Sequence, residues 1–157
     1  MPKSSLDEPQ FNAAQVAKLA ETDVISIHTW TTRGLTDPHR AESDVRRGRG
    51  RQRLYSLRDA LRFYLMARLH KQYGTPLPVG KKICETVFGA TFNEKNAAFL
   101  ILEKTTIQVR NTLWCKDAHA VGRALALRPL GTVIHTKKIL REVSEHAKYL
   151  LEQGVPS

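Results

Sequence analysis

Six arginines fall within fourteen residues, at Arg40, Arg46, Arg47, Arg49, Arg51 and Arg53, with Gly48 and Gly50 interleaved. A guanidinium group is a rigid fork of N–H donors that matches two oxygens of a phosphate at once. Two readings fit such a run. It is either a solvated loop kept loose by its glycines, or a pair of short strands that brings the guanidinium groups against a polyanion. No other residue set offers comparable chemistry. His28, His39, His70, His119, His135 and His146 show no zinc-ligand spacing. Gly48-Arg49-Gly50 lacks the third glycine of a nucleotide fingerprint, and there is no Gly-Lys-Ser/Thr loop or nucleophile elbow. Asp117-Ala118-His119 is a triplet common by chance. Binding is therefore expected, without catalysis and without a metal or other cofactor.

Composition supports the polyanion reading. The chain has 157 residues, 25 basic and 15 acidic, for a formal charge of +10. A charge of this sign and size concentrates polyanions and speeds encounter with them. The excess is spread: residues 1–90 hold 15 basic and 9 acidic groups, and residues 91–157 hold 10 and 6. No apolar run approaches the roughly 20 residues needed to span a bilayer. The start MPKSSLDEPQ has no signal-peptide core. The expectation is a cytoplasmic protein with no membrane partner. Cys84 and Cys115 are isolated and read as buried, reduced thiols.

The elements that would position the arginines lie on either side of them. Asn12 is a plausible cap for a helix to about residue 20, with Val16 and Leu19 on its apolar face. Glu21-Thr22-Asp23 breaks the pattern, and the Asp23 carboxylate can cap a second helix over about 24–32. Val24, Ile27 and Trp30 are expected to face inward there, although Trp30 could instead be exposed. Gly34 can take the left-handed cap that ends it. Beyond the arginines, Ser56 caps a long helix over about 57–73, with Leu61, Leu65, Met66 and Leu69 on its core face and Arg58, Arg62 and Arg68 expected on the surface. Gly74-Thr75-Pro76-Leu77-Pro78 stops it, and a short helix over about 79–88 follows. This is a helix-turn-helix, an arginine-rich loop and a supporting helix.

That order of parts resembles the DNA-binding domain of the MerR superfamily and its excisionase-like relatives, a winged helix-turn-helix. Val16, Leu19, Ala20, Ile27, Trp30, Gly34 and Leu35 stand in register with the first half of the family pattern, VAxLAGVSxxTIRxWxxxGL. Arg53, Tyr55, Ser56, Asp59 and Leu61 match the second, GxRxYSxxDLxxL. The likeness covers about residues 10–90. Glu21-Thr22 replaces the usual Gly-Val, His28 replaces a common arginine, and the wing glycines are displaced in a longer loop. The resemblance implies that the second helix enters the major groove of double-stranded DNA, with Ser26, His28, Thr29, Thr32 and Arg33 toward bases or phosphates. It also implies that Arg46, Arg47, Arg49, Arg51, Arg53 and Tyr55 hold the backbone. Relatives generally bind DNA as dimers.

The remainder reads as a small α+β domain. The polar stretch 89–96 is taken as a boundary. Residues 97–102 are a short apolar run, and 106–115 alternate with Ile107, Val109, Leu113 and Cys115 on one face. Residues 131–135 suggest a third strand. An amphipathic helix over about 137–152, capped by Thr136, is expected to cover the sheet. About sixty residues make a marginal core alone, which favours a homodimer through this part. The terminal helix lacks a sustained heptad, so the dimer would not use a long coiled coil. The expected protein is mainly α with a small β component. A flexible arm (1–9) precedes a winged helix-turn-helix (10–90) and an α+β domain (91–157). Its expected role is sequence-specific regulation of transcription, in a bacterial or phage-encoded, nucleoid-associated setting. The alternative is an architectural or excisionase-like part in recombination, packaging or segregation. No residue identifies a small-molecule effector.

Overall fold

In the computed structural model, the described residues are 5–37, 39–40, 53–89, 92, 99–104, 109–127 and 131–153. A 3-10 turn, Ser5–Asp7, precedes α1 (Ala13–Leu19), α2 (Val24–Thr32), β1 (His39–Arg40), β2 (Arg53–Leu54), α3 (Leu57–Tyr73) and α4 (Leu77–Val87). Then come β3 (Phe99–Lys104), β4 (Val109–Cys115), α5 (Ala118–Leu127), β5 (Thr132–Ile134) and α6 (Thr136–Glu152). By compactness the chain divides into one unit of residues 1–68 with 143–157 and a second of residues 69–142. Both α3 and α6 run through the division. Among the described residues no helix is long and apolar enough to cross a membrane.

Local chemistry sets the ends of the first two helices. Asn12 caps α1 by accepting the Gln15 amide, while the Gln15 side chain accepts the Asn12 amide, both at 2.9 Å. This reciprocal box satisfies two amides that helix geometry leaves orphaned. Helix α1 ends in a Schellman motif, with Thr22 N–H donating to Ala17 C=O and Glu21 N–H to Lys18 C=O. The left-handed residue of that motif is Glu21, with φ 54°. Its carboxylate pairs with Arg68 of α3. Helix α2 closes the same way, with Leu35 N–H to Trp30 C=O and Gly34 N–H to Thr31 C=O, and here Gly34 takes φ 85°.

The core of the first unit is aromatic. Trp30, 9% exposed, stacks on Phe63 of α3 with ring centroids 6.3 Å apart. Tyr55 meets the same ring edge-on at 5.6 Å. Val16, Leu19, Ile27, Leu61 and Met66 are buried with them. Tyr55 also exchanges backbone hydrogen bonds with Phe11, at 2.7 and 3.0 Å, which ties the chain before α1 to the end of β2. Asp59 and Ser56 cap α3 reciprocally, and burial pushes the Asp59 carboxyl up from its ordinary value.

Three expectations for this unit are corrected. The flexible arm expected over 1–9 is docked from residue 5: Leu6 is 1% exposed, and Asp7 takes two hydrogen bonds from Arg58, at 2.6 and 3.3 Å. Arg58 is accordingly buried, not a surface group. Val24 is 38% exposed: its spacing from Ile27 keeps it toward the inward side, but as the first residue of α2 it has no preceding helical turn to cover it.

In the second unit β3 is the central strand, antiparallel to β4 on one side and β5 on the other. Register alternates the faces. Phe99 and Cys115 are partners on one face, where Ala120, Val121, Ala124 and Leu125 of α5 pack. Leu100 and Trp114 are partners on the other. There Trp114 stacks on Phe92 at 6.5 Å, and Phe92 meets Phe88 edge-on at 5.0 Å, beyond the end of α4. Phe92, expected in a polar boundary, is therefore core. Both cysteines are free and buried, as expected. The helix on the Phe99–Cys115 face is α5, not the terminal helix. The cap of α6 is His135, whose Nδ1 accepts the Lys138 amide at 3.1 Å, and Thr136 is instead a buried first residue.

Glu21 provides a test of the turn. A β-branched residue is strongly disfavoured at positive φ, at a cost of about 1–2 kcal/mol. Glu21→Val should lower unfolding stability in urea by about that amount, whereas Glu21→Gly should not. Equal losses in the two variants would show that the Glu21–Arg68 pair matters more than the backbone conformation.

Candidate nucleic-acid interface

Helix α2 is fixed on one side and open on the other. Asp23 caps it, with Oδ1 accepting the Ser26 amide at 2.7 Å and Oδ2 accepting the Ser26 hydroxyl at 3.1 Å. Inward, Ile27 and Trp30 enter the core. Thr31 Oγ1 donates to Ile27 C=O at 2.7 Å and lies 3.1 Å from the Tyr55 hydroxyl. These contacts set which side of the helix faces the core. Outward, Ile25, His28, Thr29, Thr32 and Arg33 recur at spacings of three, one, three and one. That is one face of a 3.6-residue helix. Four of the five are exposed and Thr29 is half-buried. Ser26 lies half-buried at the edge of this face, its hydroxyl already engaged by Asp23. Thr32 Oγ1 donates to His28 C=O at 2.9 Å, which leaves its lone pairs to accept.

Ile25 is the residue that sequence reasoning missed. It is 77% exposed near the start of α2. An isoleucine reads by type as core, but it sits two positions from Ile27, so the helix carries it about 200° round to the face of His28 and Thr32. The spacing alone carried that signal. The N-terminal turn of a recognition helix is the part that reaches base edges, and an apolar side chain there suits the methyl group of thymine.

The wing begins where expected. β1 and β2 form an antiparallel ribbon, pairing His39 with Leu54 and Arg40 with Arg53. Arg46, Arg47, Arg49 and Arg51 lie outside the described residues. Tyr55 is the clear correction among the expected contacts. It is 0% exposed, with its hydroxyl on Thr31 and its ring against Phe63, so it holds the reader in place and cannot reach a DNA backbone. Among the described residues no group of histidines, cysteines and carboxylates is placed to hold a metal ion.

Comparison with known proteins agrees with this geometry. Residues 11–86, from the Phe11–Tyr55 pairing through nearly all of α4, match the family of MerR HTH regulatory proteins. No curated protein matches the chain.

The two faces of the interface should respond differently to substitution. Ile25→Ala should weaken binding to the preferred duplex by about 1 kcal/mol or more, with little change on random duplex or in melting temperature. Arg40→Ala with Arg53→Ala should weaken both duplexes alike. It should also flatten the slope of log affinity against log salt by about 1.8, at about 0.9 per lost phosphate contact. Competition titrations over a salt series measure both. An Ile25→Ala variant that loses random and preferred binding equally would remove Ile25 from base reading.

Proposed function

We infer, from the premise that residues 11–86 form a helix-turn-helix domain of the MerR family of regulatory proteins, that the chain is a sequence-specific double-stranded DNA-binding protein that regulates transcription. The observation that carries this is the outward face of α2. Ile25, His28, Thr29, Thr32 and Arg33 stand on one side of a helix whose other side is fixed by Trp30, Thr31 and Ile27. A rigid helix with donors, acceptors and one apolar group on its open face can distinguish base pairs in the major groove, where each pair shows a different pattern. The β1–β2 ribbon supplies contacts that fix register but carry no sequence information.

The protein acts as a homodimer in the cytoplasm, on the nucleoid. One nine-residue reading helix covers few base pairs, and two linked readers gain affinity through effective concentration without new contacts. No catalytic step is assigned to it.

Occupancy in the cell tests the role. Immunoprecipitation of the native protein, with sequencing of the recovered DNA, should give single sites beside promoters. Clusters confined to an attachment, packaging or segregation locus would replace regulation with an architectural role, and an absence of enriched sites would overturn both. Sedimentation of the protein on a recovered site should show two chains per duplex; one chain would end the dimer reading.

A further inference from the structure

Most of the chain's net positive charge lies outside the unit that holds the helix-turn-helix. Residues 69–142 contain twelve basic and five acidic side chains, a net +7. Residues 1–68 and 143–157 contain thirteen and ten, a net +3, even with every arginine of the wing included.

Topology collects part of this charge at one end of the sheet. Phe99, the first residue of β3, pairs with Cys115, the last of β4, and Leu100 pairs with Ile134, the last of β5. Strands β4 and β5 therefore finish side by side with the start of β3. Lys116 follows β4 directly, and α5 leaves from the same end carrying His119. His135 follows β5, its ring 4.2 Å from that of Phe99 and its Nδ1 capping α6. The first two turns of α6 then carry Lys137, Lys138 and Arg141. Lys116, His119, His135, Lys137, Lys138 and Arg141 are all exposed.

Two acids, Asp117 and Glu142, stand against the four charges of Lys116, Lys137, Lys138 and Arg141. Asp117 Oδ1 accepts the Ala120 amide at 2.8 Å as the cap of α5. Glu142 lies 3.9 Å from Lys138, an exposed pair of little strength. Two strand spacings of about 4.8 Å, about 10 Å in all, separate the ends of β4 and β5, from which Lys116 and the start of α6 follow. Over that axial length a DNA duplex presents about six phosphate charges. A lipid surface is a poorer match. Stable interfacial binding needs a broad apolar face beside the cations; Val143, Ala147 and Leu150, the apolar stripe of α6, are buried, and Leu113 and Val133 on the sheet are only 38% and 39% exposed.

We propose that this end of the sheet, through Lys116, Lys137, Lys138 and Arg141, is a second phosphate-binding surface that makes sequence-independent contacts to duplex DNA. It rests on the reading that the chain binds DNA, and it assigns the second unit a direct share of the affinity. The contacts would carry no base information, so they would raise affinity for every duplex by a similar factor.

The test uses the full chain and a duplex of random sequence. Affinity is followed by fluorescence anisotropy over a salt series. The variant is Lys116→Ala, Lys137→Ala, Lys138→Ala and Arg141→Ala combined, with Lys137→Gln and Lys138→Gln as a milder second variant should the first melt early. Loss of all four contacts should lower the slope of log affinity against log salt by about 3.6, and loss of two by about 1.8. Replacing the three lysines by arginine should restore the slope. Slopes unchanged in folded variants would overturn the proposal while leaving the reader intact. A wild-type chain that binds no duplex would instead overturn the DNA-binding reading itself. If the variants lost affinity for vesicles of anionic lipid while their slope on DNA held, the surface would belong to membranes, and the proposal would fail.

Discussion

The buried contact of Tyr55 with Thr31 and Phe63 is the constraint on which the reading unit depends. One aromatic side chain joins three segments: its backbone pairs with Phe11 before α1, its ring abuts α3, and its hydroxyl meets α2. Thr31 is held in turn by its own helix through Ile27 C=O. A hydroxyl buried at this depth must be hydrogen-bonded or cost about 1–3 kcal/mol, so the pair fixes the roll of α2 as well as its place. Trp30 on Phe63 adds the bulk that keeps the helix against α3. Everything that α2 shows to solvent follows from this anchoring, including the exposure of Ile25.

The turns on either side of α2 show how the same constraint treats backbone conformation. Both α1 and α2 end in a left-handed residue, which lets the next two amides cap the last carbonyls of each helix. At Gly34 the conformation is nearly free of strain. At Glu21 it costs energy, offset in part by the pairing of its carboxylate with Arg68. The polar turn that departs from the family pattern is thus accommodated by one left-handed residue and one ion pair.

Much of this unit was legible in the sequence because its signals are local. Asp23 and Gly34 mark the ends of α2, and Ser56 marks the start of α3; each acts within three residues of itself. The misreadings have a common physical cause: residue type was allowed to outweigh place. Tyr55 beside a run of arginines suggested a phosphate contact, yet it follows β2, where its pairing with Phe11 places it in the core. Arg58 suggested surface, yet its stem is buried and Asp7, 51 residues away, completes it. Such long-range pairing leaves no trace at either position. Helix α5 escaped notice because four of its ten residues are alanine and Gly122 interrupts it, so its apolar stripe is faint. The expectation that α6 covers the sheet follows from the same faintness, since α6 has the stronger apolar stripe.

The central claim is that α2, held by Trp30, Thr31 and Tyr55, reads DNA sequence with its outer face. Selection of bound duplexes from a random pool by the full-length protein tests this most directly. The account predicts convergence on one motif, repeated as two inverted half-sites about one helical turn, or a multiple of it, apart. A bound pool with the same sequence statistics as the starting pool would contradict it, since the outer face would then hold DNA without reading it.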